Sequence, residues 1–269
     1  MSDNLNFNDA LNALEVFKEL CVVEAWIPSL QKTISIKELT TKQQKILLSS
    51  IVESASDLRP SFTKNLYQIL LQNCLVDSKI VNSFTFIDLA SIVTALRNQI
   101  SPTVKVNFDK EDGSKSSETI SLEEIVKSFK GFKLTEPLKI QLTRDALDIV
   151  ITSKIPTIED DVTFFEFLPS AKKQTSDAEN LKQLIAETYM YESAKCIEAV
   201  EVARNNLSYN TLSPKQKYAL IEKMPASLIQ DLLSQYAKWK DSLNQILTVK
   251  SSFGATKVLE TDSILFLTS

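Results

Sequence analysis

Apolar residues recur at intervals of three and four positions through most of the first hundred residues. This spacing is typical of amphipathic helices, which place one apolar stripe against a protein core. Between the first two helical segments, Thr33–Lys37 alternates polar and apolar positions, which predicts a short strand. The spacing predicts four helices, at about residues 9–25, 41–54, 61–74 and 84–99.

The middle of the chain has a different pattern, with apolar residues at every second position. Thr103–Phe108 and Glu118–Leu122 alternate in this way on either side of a polar, charged turn. This pattern predicts a strand, a turn and an antiparallel strand. Leu138–Leu142 alternates as well and predicts a third strand. Thr143 then has the character of a helix cap, which predicts a helix over residues 144–152.

The C-terminal half returns to helical spacing after a polar stretch. Residues 171–177 are polar and follow Pro169, as expected of a boundary between two regions. The last predicted helix carries a strong apolar stripe that includes Leu228 and Trp239. We interpret this stripe as core first, and as a helix that binds in a partner's groove only second. The helices predicted in this half lie at about residues 176–187, 192–204, 214–222 and 225–247.

These patterns predict an α+β fold that is mainly helical, with helical N- and C-terminal regions and a small antiparallel β element in the middle. We expect a helical region over residues 1–170, in which the β element occupies about 103–142. A C-terminal helical region over residues 176–250 and a tail over residues 251–269 would follow. A chain of 269 residues is long enough to bury such a core without disulfide bonds.

The composition limits the chemistry that we expect of this chain. It has no histidine, three glycines and three cysteines. Without histidine, the commonest general base and the commonest metal ligand are missing, and so are Ser-His-Asp and Cys-His sites. Three scattered glycines cannot build a phosphate-binding loop. Three widely spaced cysteines fit a reducing compartment better than a disulfide framework or a zinc site. We therefore expect no catalytic residue, no metal and no cofactor.

Charge and hydropathy limit the expected partners and location. A net charge of −4 and a pI near 5.2 argue against nucleic-acid binding, which needs a basic surface. The first nine residues lack the basic and apolar segments of a signal peptide. No stretch approaches the roughly 18 apolar residues that a membrane-spanning helix needs. We expect a protein made in the cytoplasm, with no membrane span.

Two runs of carboxylates allow two interpretations. Glu123-Glu124 and Glu159-Asp160-Asp161 would suit a metal site or an acid–base pair. They would equally suit a solvated loop or the negatively charged first turn of a helix. We prefer the second interpretation, because carboxylates alone fix no geometry. The first interpretation requires these residues to meet in one concave pocket.

Two apolar segments are candidate anchors for a protein partner. An aromatic segment at residues 164–167 follows the second acidic run, and an apolar tetrad at residues 264–267 lies near the C-terminus. Large apolar side chains of this kind carry much of the binding energy at protein interfaces. The first segment would also suit a core element, and the second would also suit a position covered by this chain itself. The candidate partner-binding residues are Phe164, Phe165, Phe167, Leu265 and Phe266.

The order of several short segments carries a resemblance to a known family. An Ile-Pro pair leads into a short strand and then into a helix that opens with Thr-x-Lys-x-x-Lys-x-Leu-Leu. A helix with a cysteine near its end, an Asp-led helix that ends in Leu-Arg, a β insertion and an Ile-Pro-Thr segment follow. In this chain the segments are residues 27–28, 40–48, 66–74, 88–97, 104–122 and 155–157. Together they resemble the T-even-type myophage family of baseplate hub proteins, which includes hub subunits and hub assembly proteins.

The resemblance implies a non-enzymatic phage tail protein that acts in the assembly or structure of the central hub of a contractile-tail baseplate. Its partners would be other baseplate and hub proteins, met in the cytoplasm of an infected bacterium, and it would stay in the virion or leave after assembly. Several relatives carry Cys-x-x-Cys in the β insertion, where this chain has Asp-Lys-Glu-Asp at residues 109–112. No zinc role is therefore expected here.

Two other interpretations remain open from the sequence. One is a helical adaptor or chaperone-like interaction protein unrelated to tails. The other is an enzyme that uses the carboxylates with a bound metal.

Overall fold

A computed structural model of the protein describes residues 6–57, 61–134, 137–144, 147–165 and 178–267. The helices of these residues are α1 Phe7–Leu20, α2 Thr41–Asp57, α3 Ser61–Asn73, α4 Ser78–Asn82, α5 Phe86–Ile100, α6 Leu122–Gly131, α7 Ile158–Phe165, α8 Ala178–Lys195, α9 Pro214–Ile221, α10 Ala226–Leu247 and α11 Thr261–Ile264. The strands are β1 Val22–Ile27, β2 Lys32–Lys37, β3 Thr103–Asp109, β4 Lys115–Ser121, β5 Lys139–Arg144, β6 Leu147–Ser153, β7 Ile197–Val202, β8 Asn205–Leu207, β9 Thr248–Lys250 and β10 Thr256–Val258.

Strands occur along the whole described chain, so the prediction of one small β element in the middle is wrong. The described residues form four antiparallel sheets: the pairs β1–β2, β3–β4 and β9–β10, and one sheet in the order β5-β6-β7-β8. Both regions that were predicted to be helical therefore contain sheet. The hairpin predicted from the alternation of residues 103–122 is present as β3 and β4.

The first error lies at the end of α1. The sequence predicted a helix that continues to Ala25, but α1 ends at Leu20 and β1 begins at Val22. Val23, Ala25 and Ile27 are buried at every second position, which is the period of a strand on a core. β1 pairs with β2 and lies against α5, where the Ser91 hydroxyl donates a hydrogen bond to the Trp26 carbonyl at 2.7 Å.

Two more predicted helical segments are strands of the four-stranded sheet. The segment predicted as a helix at residues 144–152 contains most of β6, and the helix predicted at residues 192–204 ends at Lys195 and gives way to β7. β6 pairs with β5 on one side and β7 on the other. A strand in this position accepts consecutive apolar residues, and those of β6 include two β-branched isoleucines, Ile149 and Ile151.

Two clusters of buried apolar side chains form the interior. The first contains side chains of β1, β2, α3, α5, the β3–β4 pair and α6. α5 lies inside it, since every residue from Ile87 to Arg97 is buried. Such burial on all sides is typical of a central helix. Residues that are remote in sequence, from the end of α10 onward, also join this cluster, among them Leu247 and Ile264.

The second cluster lies between the four-stranded sheet and α8, α9 and α10. α10 belongs to both clusters: Leu232 and Trp239 pack in the second, and Leu243 and Leu247 pack in the first. This 22-residue helix therefore links the two cores. The polar stretch 171–177, at which the sequence predicts a boundary, lies outside the described residues, and the division of the chain into regions stays a prediction.

Candidate interaction surface

α1 exposes nearly all of its apolar side chains. Phe7, Leu11 and Leu14 follow one another at intervals of four and three residues, so they form a stripe along one side of the helix. A globular protein normally turns such a stripe toward its core. In α1 the following large apolar side chains are between 45% and 76% exposed: Phe7, Leu11, Leu14, Val16, Phe17 and Leu20.

Polar contacts fix the two ends of α1. At its start, the Asn6 side chain accepts a hydrogen bond from the Asp9 backbone N–H at 3.0 Å, as a helix cap does. Near its end, Glu19 forms an ion pair with Lys37 of β2. These contacts place α1 beside the β1–β2 pair and leave its apolar stripe uncovered.

α2 is held firmly by its inner side. Thr40 and Gln43 cap its start reciprocally, with the Gln43 N–H donating to Thr40 Oγ1 at 3.2 Å and the Thr40 N–H donating to Gln43 Oε1 at 3.0 Å. The Gln43 side chain also forms a buried pair with the Asn73 amide, with hydrogen bonds of 2.9 and 3.2 Å. Leu47 and Ser50 are fully buried on the same side. The opposite side of α2 therefore has a fixed orientation at the surface.

The outer side of α2 is apolar and basic. Lys45, Leu48 and Val52 stand at positions i, i+3 and i+7, which places them in one row on the helix. All three are exposed, and Val52 is exposed to 68%. Lys42, one turn before this row, is also exposed. We call these four residues the outer row of α2. Together with α1 it makes the N-terminal part of the described chain rich in exposed apolar surface.

The C-terminal anchor candidates lie against this chain's own core. Leu265 is 8% exposed, and Phe266 packs on the first cluster as a partly buried residue. The Arg97 guanidinium holds this segment, since its Nη2 donates to the Leu267 carbonyl at 2.8 Å. The segment is thus covered by the chain itself, which is the alternative that the sequence left open.

The side chains of the aromatic anchor candidates lie outside the described part of the structure. Phe164 and Phe165 are the last two residues of α7. Phe167 lies outside the described residues. A partner-binding role for these five candidates stays a prediction.

The two acidic runs lie in the first turns of two different helices, where the helix dipole stabilises negative charge. Glu123 and Glu124 lie in the first turn of α6, and the other run lies in the first turn of α7. Asp160 caps α7 by accepting a hydrogen bond from the Thr157 N–H at 3.0 Å, and it pairs with Lys154 at 2.7 Å. Among the described residues, no group of three or more His, Cys, Asp or Glu side chains is arranged to hold a metal ion.

Lys195 is a buried cation that sequence reasoning missed. Its side chain is 4% exposed, and its Nζ lies 2.7 Å from Asp161 Oδ1 and 3.0 Å from Glu192 Oε1. The same Nζ lies 4.8 and 5.0 Å from the ring centroids of Tyr191 and Tyr236. This cluster joins α7, α8 and α10. Its members are separated by up to 75 positions in the chain, from Asp161 to Tyr236, so no local motif marks it.

The charges around Lys195 keep it protonated. Burial by itself lowers the pKa of Lys195, but Asp161, Tyr191 and the other neighbours raise that pKa on balance well above its usual value. A nucleophilic lysine needs the opposite shift. Burial also raises the pKa of the Cys74 thiol to about 12, which keeps it from forming a nucleophilic thiolate near neutral pH. Neither group therefore has the lowered pKa that a nucleophile needs.

A shallow cleft of about 310 Å³ opens between β3 and the segment from β10 to α11. Its polar lining includes Lys105, Lys257 and Glu260. The carboxylates of the two acidic runs do not line it, so this concave surface does not assemble the metal site that the enzyme interpretation requires. None of the helices in the described ranges has both the length and the apolar composition of a membrane-spanning segment.

The fold and the surface together define a class: a mainly helical protein whose described residues include four small antiparallel sheets, and whose candidate site is an exposed apolar surface. The model of the family described as T4 bacteriophage base plate protein matches residues 22–263, which is most of the chain. The chain therefore belongs to this family. No curated protein and no solved structure matches it.

The family match divides the candidate surface. It begins at Val22, the first residue of β1, so the outer row of α2 lies inside the matched residues and α1 lies outside them. The match supports phage baseplate membership, which the segment order of the sequence had indicated. It disfavours the interpretation as an adaptor unrelated to tails.

Proposed function

We propose that this chain acts in the assembly or structure of the central hub of a contractile-tail baseplate, through contacts with other baseplate and hub proteins. The observation that carries the proposal is the family match over residues 22–263. The assignment to the hub rests on the order of segments in the first half of the sequence, which resembles the hub proteins of T-even-type phages.

A second part of the proposal is that the chain acts by binding other proteins and has no enzymatic activity. Three observations support this part. The sequence has no histidine, the buried Lys195 is held in its protonated form, and the acidic runs lie in the first turns of two different helices. The exposed apolar side chains of α1 and α2 provide a surface of the kind that protein partners cover.

The proposed partners are proteins, and nucleic acid is not among them, since the net charge is −4. The proposed place of action is the bacterial cytoplasm during tail assembly, followed by the virion if the chain stays in the particle.

Inactivating the gene for this chain in its phage tests the proposal. We expect lysates without infectious particles, in which electron microscopy shows baseplates or baseplate parts that lack a central hub. Supplying the intact chain from a plasmid should restore infectious particles. Infectious particles with complete hubs in the absence of the chain would contradict the proposal.

Mass spectrometry of purified wild-type particles then separates the two roles within the proposal. A stoichiometric amount of the chain identifies a structural subunit. Its absence from particles, combined with the loss of hubs in the mutant, identifies an assembly factor.

A further inference from the structure

The last described segment of the chain, residues 260–267, contains α11 and the turn that follows it. Its backbone-to-backbone hydrogen bonds run within the segment, as from the Ile264 N–H to the Glu260 carbonyl at 3.1 Å. Just before it, the Leu259 N–H donates to the Leu247 carbonyl of α10 at 3.0 Å, which fixes the chain at that point. We call residues 260–267 the C-terminal strap.

Arg97 of α5 supplies the hydrogen bonds that join the C-terminal strap to the rest of the described chain. Its Nε and Nη2 donate to the Leu267 carbonyl at 3.3 and 2.8 Å, and its Nη1 donates to the Ser101 carbonyl at 3.1 Å. Movement of the strap away from α5 therefore breaks the hydrogen bonds of one side chain and leaves every described sheet intact.

The buried charge of Arg97 lacks the counter-charge that Lys195 has. Arg97 is 3% exposed and donates to neutral carbonyls, whereas Lys195 contacts two carboxylates. Accordingly, burial lowers the pKa of Arg97, whereas the neighbours of Lys195 raise its pKa. Burying a charge without a counter-charge is unfavourable, and water reaches the guanidinium when the strap moves away. This cost offsets part of the free energy that holds the strap closed.

The strap also fits loosely against β3. The cleft of about 310 Å³ separates them, with Ser263 and Leu267 of the strap on one side and Lys105 and Asn107 of β3 on the other. Water therefore reaches the strap along this side. The strap can leave α5 without first displacing β3.

Apolar side chains hold the strap closed. Ile264 is fully buried and Leu265 is 8% exposed in the first cluster, and the next two residues pack on that cluster as partly buried side chains. In an open strap these four consecutive side chains form one apolar surface. Glu260 and Asp262 precede it, and the strap contains no basic residue. Such a segment suits an apolar groove with basic borders on a protein partner.

We propose that the C-terminal strap opens as a unit at Leu259, that Arg97 holds it closed, and that opening presents Leu265 and Phe266 to a protein partner. The closed strap is then an autoinhibitory contact, which keeps two candidate anchors covered by the chain's own core. Segments that move in this way belong to the part of a protein with the lowest local stability. The opening is a property of the purified chain, and only the use of the anchors in a baseplate rests on the proposed function.

Chymotrypsin cleavage of the purified full chain measures the opening, because the protease cuts after Leu265 or Phe266 only when these residues leave the core. The rate of such cleavage follows the population of the open form. We expect the short C-terminal products, identified by mass spectrometry, to appear without urea. Their rate should correspond to an open form populated at about 0.1–10%. A strap that is cut only at urea concentrations that unfold the whole chain would overturn the proposal.

Two conservative variants distinguish local opening from global unfolding. Ile264→Val and Ile197→Val each remove one methylene group from a fully buried isoleucine, the first in the strap and the second in β7. Ile264→Val should raise the cleavage rate at the strap about two- to tenfold, because the lost contact is made only when the strap is closed. Ile197→Val should leave that rate unchanged. Equal acceleration by both variants would show that cleavage follows global unfolding and would overturn the proposal.

Arg97→Lys tests the role of Arg97. The lysine keeps the buried charge but lacks the planar guanidinium that donates twice to the Leu267 carbonyl. We expect the strap to be cut about tenfold faster. Lys257→Met is the control: it removes the hydrogen bond of Lys257 to the Asn107 carbonyl, which precedes Leu259, and should not change the rate. An unchanged rate in Arg97→Lys would overturn the role of Arg97.

Plasmid-borne variants supplied to phage that lack the chain test the anchors. Phe266→Ser should lower the yield of infectious particles at least about tenfold, while circular dichroism of the purified variant shows the helix content of the wild type. Phe253→Ser, at an exposed phenylalanine between β9 and β10, is the control and should support a normal yield. A normal yield with Phe266→Ser would overturn the anchor role. Phage that need no copy of the chain at all would instead contradict the proposed function.

Discussion

At position 195 a charged side chain is enclosed by α7, α8 and α10, although its neighbours in the second core are mostly apolar. Burying a charge is costly unless it is paired and hydrogen-bonded. Asp161 meets this need, and the Tyr191 hydroxyl donates to Asp161 Oδ1 at 2.9 Å, so both members of the ion pair have partners. The cluster therefore stabilises the position of α7 against α8.

Replacing Lys195 tests how much this cluster contributes to the stability of the fold. Lys195→Met leaves Asp161 partly buried without its cation, and we expect the free energy of unfolding to fall by about 3 kcal/mol. Urea denaturation measures the change. Lys238→Met, on the exposed side of α10, is the control and should change the free energy of unfolding by less than about 0.5 kcal/mol. A loss below about 1 kcal/mol in Lys195→Met would contradict a stabilising role for the cluster.

The pH dependence of this effect follows from the direction of the pKa shift. A lysine whose folded-state pKa is raised contributes stability that is fully present below its unfolded pKa of about 10.4 and is lost as pH rises through the folded value. The difference in unfolding free energy between the wild type and Lys195→Met should therefore be equal at about pH 6 and about pH 9. A difference that shrinks toward pH 9 would indicate a lowered pKa instead.

At the scale of elements, α5 is tied to the β1–β2 pair by its first turn. Thr85 and Asp88 cap the helix reciprocally, with the Thr85 N–H donating to Asp88 Oδ2 at 2.7 Å and the Asp88 N–H donating to Thr85 Oγ1 at 3.3 Å. Asp88 Oδ1 also accepts a hydrogen bond from the Ser29 N–H at 2.8 Å. One carboxylate thus joins the start of the central helix to the turn between two strands.

The buried cap of α5 and the exposed cap of α9 allow a direct comparison. Ser213 and Gln216 form the same reciprocal cap at the surface. Thr85→Ala should lower the free energy of unfolding by about 2 kcal/mol, and Ser213→Ala by about 1 kcal/mol, because only the first leaves a buried donor, the Asp88 N–H, without its acceptor. Thermal or urea denaturation of both variants checks this order. Equal losses would show that burial of the α5 cap adds nothing to its contribution.

At the scale of the whole molecule, α10 gives the two cores a shared element. Its first part packs against the four-stranded sheet, and its last turns pack with the first cluster. Elements that share a continuous helix are expected to unfold together, because loss of one core removes the packing that holds the helix for the other.

The two tryptophans report on the two cores separately. Trp26 packs on the first cluster and Trp239 lies in the second. Fluorescence of Trp239→Phe should follow the first core, and fluorescence of Trp26→Phe should follow the second. In each variant, we expect the urea midpoint from fluorescence to coincide with the midpoint from circular dichroism. Separate midpoints would show that the cores unfold as independent regions.

The sequence by itself determined the elements whose signals are local. The β3–β4 pair, α3, α5 and α10 form where alternation, helical spacing and nearby prolines predicted them, because period and turn chemistry act over a few residues. The sequence also indicated the phage baseplate family, which the match over residues 22–263 supports.

Only the tertiary structure decided between helix and strand for the segments whose apolar residues fit both the helical and the strand period. Val22–Ile27, Leu147–Ser153 and Ile197–Val202 are strands because their partners are paired strands and helices from elsewhere in the chain, which no local pattern reports. The candidate surface was undecided for the same reason. An apolar stripe looks alike in sequence whether it is covered, as in α10, or exposed, as in α1, because cover is supplied by residues that are distant along the chain.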